Sequence, residues 1–214
     1  MAPFKEVADY CADELGFSFG IAKLHGAHLR KAGILPPSKR GFGALELDTT
    51  NAVDLMASLL LAPTNLEAIE TVSTIRSRRL TSVHFNSLSS EAPPEGRIHA
   101  AFSSVRALGI GFLDNHTVGS TLDRVVNAMR SGAFANWAGA HGDVIVDFHD
   151  SGRGTLIYFD RHCVNEAAVF SFDEDKNAPP PPVERMVRVN GRVLRGLATV
   201  LGPIPETAIP PPPY

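Results

Sequence analysis

Apolar residues recur at the spacing of an α-helix along much of the chain. In residues 3–15 they fall three or four positions apart and leave the charged residues on the other face, which is typical of an amphipathic helix. The same pattern, with Asp48 and Asn190 as N-caps, predicts helices over residues 49–61, 66–79, 120–130 and 191–201. A further helix, over residues 19–32, is expected to begin after Ser18 and to end at Gly33, ahead of two prolines.

The second half of the chain adds strand-like runs. Three short runs either alternate between apolar and polar residues or are continuously apolar: residues 143–148, 155–159 and 167–172. Turn-forming residues separate these runs. Short runs divided in this way predict an antiparallel β-meander. Residues 185–189 are interpreted either as a fourth strand or as an extended lead-in to the last helix. The chain is therefore expected to belong to the α+β class.

The positive charge is concentrated in one window. The chain has a formal net charge of −3, yet residues 15–45 contain no Asp or Glu. The Lys and Arg residues of this window are Lys23, Arg30, Lys31, Lys39 and Arg40. A local basic surface on a weakly acidic protein is typical of a face that meets phosphate groups.

The helix over residues 19–32 divides into two faces. The residues expected to point into a core are Ile21, Leu24, His28 or Leu29, and Ala32. The residues expected on another face are Lys23, Gly26, Ala27 and Arg30, at positions i, i+3, i+4 and i+7. Small residues in the middle of this second face would let the helix approach a groove floor, and its basic ends would reach phosphates or guanine edges.

A basic turn follows this helix. Residues 38–43, with the sequence SKRGFG, combine two basic residues with glycine. Residues 44–47 suit a strand that returns from the turn. Together these two segments predict a β-wing beside the helix.

A family resemblance rests on these parts and their order. Residues 4–61, FKEVADYCADELGFSFGIAKLHGAHLRKAGILPPSKRGFGALELDTTNAVDLMASLLL, resemble the winged helix-turn-helix DNA-binding domain of MerR-type regulators. The shared parts are a first helix, a glycine turn, a recognition helix ending in RKAGILPP, a basic wing and a following helix. The interval from Gly16 to Gly33 is about one helical turn longer than in that family. The layout is also similar to that of small DNA-binding proteins of phages and integrated elements of bacteria.

The resemblance implies a sequence-specific transcriptional regulator that binds double-stranded DNA, with the recognition helix in a major groove and the wing on the backbone. The expected DNA-binding residues are Ser18, Lys23, Gly26, Ala27, Arg30, Lys31, Ser38, Lys39 and Arg40. The residues expected near the bases are Lys23, Gly26, Ala27 and Arg30. Phosphate contacts are expected from Lys31, Lys39 and Arg40, with Ser38 assisting from the wing.

The expected domain organisation follows from composition. Residues 87–96 are rich in Ser, Pro, Gly and Glu, which is typical of a linker. The expected segments are a winged helix-turn-helix domain over residues 1–83, a linker over 84–96, a small α+β domain over 97–202 and a proline-rich tail over 203–214. A single winged helix presents a short recognition surface, so a homodimer formed mainly by residues 97–202 is expected. The same domain is the expected place for a small-molecule or protein effector.

Two alternatives to specific DNA binding stay open. The first is a protein-interaction module, such as an antiactivator or adaptor, that keeps the winged-helix shape without binding specific DNA. The second is a metal-dependent enzyme or sensor on the meander, where Asp147, His149, Asp150 and His162 lie at strand ends. Turn and hairpin roles are the favoured interpretation of these four residues.

No motif for nucleotide binding, metalloprotease chemistry or a serine nucleophile is present, so no enzyme activity, cofactor or metal is expected. His25 and His28 lie one helical turn apart but have no third ligand near them in the sequence. Cys11 and Cys163 form no metal or redox motif, and Cys11 lies on the apolar side of the first helix. We expect Cys11 to be a buried thiol.

No signal peptide or membrane-spanning run is visible in the sequence, which predicts a cytoplasmic protein. Arg76, Arg78 and Arg79 close the helix predicted over residues 66–79. These three cations are expected to complement the helix dipole, in preference to making a second phosphate contact.

Overall fold

The computed structural model describes residues 1–37, 46–87, 116–138, 143–149, 155–161, 166–172 and 186–204. The helices in these ranges are α1 (Phe4–Leu15), α2 (Phe19–Lys31), α3 (Thr49–Leu61), α4 (Ala68–Ser77), α5 (Val118–Arg130), α6 (Ala133–Ala138) and α7 (Gly191–Leu201). The strands are β1 (Ala2–Pro3), β2 (Glu46–Leu47), β3 (Leu80–Ser87), β4 (Asp143–His149), β5 (Thr155–Arg161), β6 (Glu166–Phe172) and β7 (Met186–Asn190). Within these ranges, none of the helices has the length and apolar character needed to cross a bilayer.

Local capping signals set where several helices begin. The side chains of Ser18, Asp48 and Asn190 each accept a hydrogen bond from the backbone N–H three residues later, at 3.4, 2.8 and 3.3 Å. Each bond satisfies one of the donors left unpaired in a first helical turn, so these three predicted N-caps are confirmed. Helix α5 begins two residues earlier than predicted, because Thr117 and Ser120 form a capping box.

The large sheet has five strands in the order β3-β6-β5-β4-β7, and every neighbouring pair is antiparallel. Strands β4, β5 and β6 confirm the predicted meander, and β7 confirms the fourth strand. Strand β3 pairs with β6, so residues 84–87 are strand and not the start of a linker. Val83 and Phe85 alternate there with polar residues, a period-two signal that the Ser-rich sequence downstream obscured.

A second sheet, of two strands, lies in the N-terminal region. Strand β1 pairs antiparallel with β2, with Ala2 opposite Leu47 and Pro3 opposite Glu46. The strand predicted over residues 44–47 is therefore present at Glu46 and Leu47, and its described partner is the start of the chain. Residues 38–45, which include the predicted wing turn with Ser38, Lys39 and Arg40, lie outside the described residues.

Helices from both predicted domains share one apolar core. Helix α1 packs on α7 and α3 packs on α5, so both pairs join elements on either side of the predicted linker. The Tyr10 hydroxyl on α1 also donates a hydrogen bond to the carbonyl of Val193 on α7, at 2.7 Å. The described residues thus form one packed unit, and the predicted division into domains over residues 1–83 and 97–202 is not seen. Composition marks a linker but does not show which distant elements pack together.

A half-buried arginine joins three helices of this core. Arg76 on α4 donates through Nε to the Asp54 carboxylate of α3, at 2.7 Å. Its Nη1 and Nη2 donate to the two carboxylate oxygens of Asp123 on α5, at 2.6 and 3.1 Å. Nη2 also donates to the carbonyl of Thr50, at 3.0 Å. Because Asp54 is only 5% exposed, its charge would be costly without this partner.

Gly119 makes room for the arginine. A Cβ atom at Gly119 would lie 2.5 Å from Cδ of Arg76 and 2.7 Å from its Nη1, so any larger residue would displace the guanidinium. Arg76 lies in the last turn of α4, as predicted. Its guanidinium also pairs with two carboxylates that lie 22 positions before and 47 positions after it in the sequence, and the sequence position did not predict these partners.

We expect Arg76→Met to lower the free energy of unfolding by roughly 3 kcal/mol, because it removes the cation that pairs with the buried Asp54 and with Asp123. Arg192→Met is the matched control, since Arg192 binds Glu14 on the surface with its own side chain 78% exposed. The control should lose far less stability. Urea denaturation of both variants measures the two losses in free energy of unfolding. Similar losses would show that the burial of Asp54 beside Arg76 does not increase the contribution of this ion pair to stability.

The Asp54 carboxyl gives the core a defined pH dependence. Burial raises its pKa from 3.8 to about 6, against the opposing charge of Arg76. Because the folded-state pKa is the higher one, this contribution to stability is fully present below about pH 3.8 and is lost as the pH rises through about 6. We therefore expect the stability of the wild type relative to Asp54→Asn to fall across that pH range, measured by urea denaturation. A difference that rises with pH would contradict the assignment.

Candidate nucleic-acid interface

Helix α2 is oriented differently from the prediction. Its buried residues are Ala22, His25, Gly26 and Leu29. The predicted inward residues Ile21 and Leu24 are instead 40% and 54% exposed. The prediction was wrong because apolar residues occupy more than half of the helix circumference, so their spacing fits more than one inward face. The helix buries the face that contains Gly26.

Gly26 explains why this face points inward. A Cβ atom at this position would lie 2.5 Å from Cε2 and Cζ of Phe4, so the absence of a side chain lets the Phe4 ring of α1 pack directly on α2. Gly26 is therefore part of the packing between helices. Its predicted place near DNA bases is wrong, because the residue is buried.

Arg30 is held against its own helix. Its Nε donates to the carbonyl of Gly26 at 3.2 Å, and its guanidinium carbon lies 4.8 Å from the centroid of the Phe4 ring. This cation–π contact stacks Arg30 over the same ring that fills the space beside Gly26. Arg30 is half-buried and lies at the edge of the exposed surface, rather than at its centre.

The remaining described members of the predicted DNA-binding set are on the surface. Lys23, Ala27 and Lys31 are exposed, and exposed Ser18 uses its side chain as the N-cap. The centre of the exposed face is a stripe at i, i+4, i+7 and i+11, formed by Gly20, Leu24, Ala27 and Lys31. No acidic residue occurs between Gly16 and Pro37. We call the exposed part of α2 the α2 face and define it by this stripe with Lys23 and Ile21 on its two sides.

Large apolar side chains are exposed on α2 and just before it. Ile21 and Leu24 lie on the α2 face, while Phe17 and Phe19, at the start of the helix, are each 37% exposed. The Phe19 ring is partly covered by the Lys5 ammonium, 5.7 Å from its centroid. The sequence pattern places Ile21 and Leu24 in a core, so it does not predict this surface.

Two buried titratable groups lie in the first two helices. Cys11 is in the core, as predicted, and burial raises the pKa of its thiol to about 12. Burial also lowers the pKa of His25, and the nearby His28 lowers it further. Both effects favour the uncharged forms of Cys11 and His25. Cys163 lies outside the described residues.

The other basic and acidic candidates have structural partners. Asp147 on β4 is 2% exposed and receives two hydrogen bonds of 2.6 Å from Nε and Nη2 of Arg188, its cross-strand neighbour on β7. Arg78 donates to the hydroxyl of Thr155 at 2.9 Å. Of the other three members of the strand-end group, His149 is buried at the end of β4, and Asp150 and His162 lie outside the described residues. Within the described ranges, no three His, Cys, Asp or Glu side chains are grouped as a metal site would require.

A cavity of about 410 Å³ lies between α4 and strands β4 and β7. The residues of α4 and its ends that line it are Glu67, Glu70, Thr71, Thr74, Ile75 and Arg78. The other lining residues are Leu61, Pro63, Phe148, His149 and Val187. The volume is in the range of small-molecule sites, and the lining mixes apolar walls with a few polar groups. The cavity is separate from the α2 face.

Comparisons with protein-family models, with curated proteins and with solved structures found no match to this chain.

The two glycines of α2 provide a test of its orientation. We expect Gly26→Ala to lower the free energy of unfolding by roughly 1–3 kcal/mol, because the new methyl group overlaps the Phe4 ring. Gly20→Ala is the matched control, since its Cβ would meet only Ser18 Oγ at 3.6 Å. That change should stabilise by about 0.5–1 kcal/mol through helix propensity. Thermal and urea unfolding measure both, and stabilisation by both variants would refute the packing of Phe4 on Gly26.

Proposed function

We propose that this protein is a sequence-specific DNA-binding regulator of transcription that places helix α2 in a major groove. The observation that supports this most directly is the exposed, acid-free α2 face, where Lys23 and Lys31 flank small and apolar residues. A surface of this kind attracts phosphate through its cations and can approach base edges through its small residues.

The dimensions of α2 suit this role. The helix has 13 residues, which gives a length of about 20 Å, and an α-helix fits a major groove about 12 Å wide. Lys23 and Lys31 are separated by about 12 Å along the axis, so they can reach phosphates near the two ends of the contact. Gly20 and Ala27 have little or no side chain between them and the groove floor.

The surrounding elements hold α2 in place. Helix α1 packs on α2 and is joined to it by residues 16–18, in which Gly16 has a left-handed conformation with φ of 74°. The pairing of β1 with β2 fixes the chain on the far side of residues 38–45. We keep Ser38, Lys39 and Arg40 as proposed phosphate contacts of a wing, in line with the resemblance to MerR-type winged helices.

We further propose that the protein binds DNA as a homodimer, because one helix of this length reads only a few base pairs. The cavity between α4 and the sheet is the position that we assign to a small-molecule effector. A ligand there would contact α4, and α4 packs against α2. This contact is a direct physical route from the cavity to the proposed DNA-binding helix.

Selection of bound sequences from a random pool of duplex DNA tests the proposed function. We expect one preferred sequence, arranged as an inverted repeat if two copies bind related by a two-fold axis. For that site, Lys23→Ala/Lys31→Ala should weaken binding. It should also flatten the log–log salt dependence by about two units for each bound subunit, one for each phosphate that the variant no longer neutralises.

The matched control removes the same number of charges elsewhere. Arg192→Ala/Arg195→Ala changes two exposed basic residues of α7, which pair with Glu14 and Asp143. This variant should keep the salt dependence of the wild type. An equal effect of both double variants would mean that net charge, and not the α2 face, governs binding.

A protein-interaction module is the second candidate, and the exposed apolar residues at the start of α2 favour it. A partner protein that packs on Phe17, Ile21 and Leu24 would bury apolar surface without reading DNA. Weak binding to all DNA sequences alike, with no sequence enriched in the selection, would support this candidate over the first.

A further inference from the structure

The α2 face contains almost no hydrogen-bonding side chains with which to read bases. Of its members, Gly20, Ile21, Leu24 and Ala27 carry no polar side-chain group, and only Lys23 and Lys31 can donate. Leu24 is the most exposed large apolar residue of the helix and lies in the central stripe. A helix that enters a groove by this face therefore presents hydrocarbon to the bases.

The edges of the four bases respond differently to hydrocarbon. In the major groove, guanine and adenine present hydrogen-bonding atoms and cytosine presents an amino group, whereas thymine also presents its C5-methyl group. Leucine placed against an unpartnered polar edge removes water from it without replacing the hydrogen bond, which costs free energy. Leucine placed against the methyl group buries apolar surface on both sides, which is favourable.

We propose that the α2 face reads thymine through its C5-methyl groups, with Leu24 and Ala27 in the central contact and Ile21 at its side. This inference rests on the proposed function and specifies its target: duplex DNA with thymines at the positions below the middle of α2. It also gives the exposed apolar residues a role on the same surface as the lysines.

The lysines and the apolar residues have separable roles in this arrangement. Lys23 and Lys31 supply affinity that does not depend on sequence, because phosphates are the same at every position. Leu24 supplies discrimination between bases. Removing a lysine should therefore weaken all sites together, whereas shortening Leu24 should weaken only sites that carry the thymine.

Replacement of thymine by uracil in the selected DNA tests the inference, because uracil pairs identically and lacks only the C5-methyl group. We expect a loss of affinity of about fourfold for each contacted methyl, from about 0.8 kcal/mol per buried carbon. In Leu24→Ser the penalty for uracil should disappear at one thymine position. In Lys23→Ala the full penalty should remain, at lower overall affinity.

Folding of the variants is checked independently. Leu24 is 54% exposed, so Leu24→Ser should melt within a few degrees of the wild type. Ile21→Ser provides a second variant, with an expected loss of the uracil penalty at a different position. Uracil placed outside the bound region of the DNA serves as the control and should change nothing.

The outcomes separate the inference from the proposal on which it rests. If the wild type binds a preferred sequence and uracil has no effect at any position, thymine readout is wrong and DNA binding stands. If no DNA sequence is preferred, both fail. If Leu24→Ser leaves specific DNA binding and the uracil penalty unchanged, the apolar residues serve another partner, such as a protein, and the inference is overturned.

Discussion

The ion cluster at Arg76 is the constraint on which the helical part of the structure depends. Helix α3 is buried along residues 52–59, and Asp54 is the charged residue within that stretch. Arg76 compensates this charge and also binds Asp123, which fixes α4 and α5 against α3. Arg130 on α5 in turn donates to two carbonyls at the C-terminal end of α7, that of Leu201 at 3.3 Å and that of the next residue, Gly202, at 2.7 Å. The hydrogen bonds of Arg76 and Arg130 thus connect four helices: α3, α4, α5 and α7.

Features encoded locally in the sequence could be predicted, and features that depend on distant residues could not. The N-caps at Ser18, Asp48 and Asn190 need only a few neighbouring residues, and the meander of β4, β5 and β6 needs only short turns. The pairing of β3 with β6 brings together segments about eighty to ninety residues apart, and no local pattern specifies such a partner. The same holds for Arg76, whose sequence position near a helix end indicated a dipole contact.

Helix α2, which carries the candidate site, also combines features that could be predicted from the sequence with one that could not. The sequence predicted α2, its N-cap and its exposed cations Lys23 and Lys31, because these follow from local composition and spacing. Which face points inward depends on Phe4, whose ring needs the space that Gly26 leaves open. The sequence suggested that Gly26 lets α2 approach DNA closely. Gly26 does allow a close approach, but the group that approaches it is the Phe4 ring of α1.

That internal contact determines what the outer surface can be. Once Gly26 faces Phe4, the 3.6-residue period places Leu24 and Ala27 outward, and no rotation of α2 can bury Leu24 without exposing Ala22 and Leu29. An exposed leucine forfeits hydrophobic stabilisation in the free protein, by about 1.5–3 kcal/mol relative to full burial. Its location beside lysines on an acid-free helix is consistent with recovery of that free energy in a complex. The packing of α1 on α2 and the proposed recognition surface are therefore two consequences of one helix orientation.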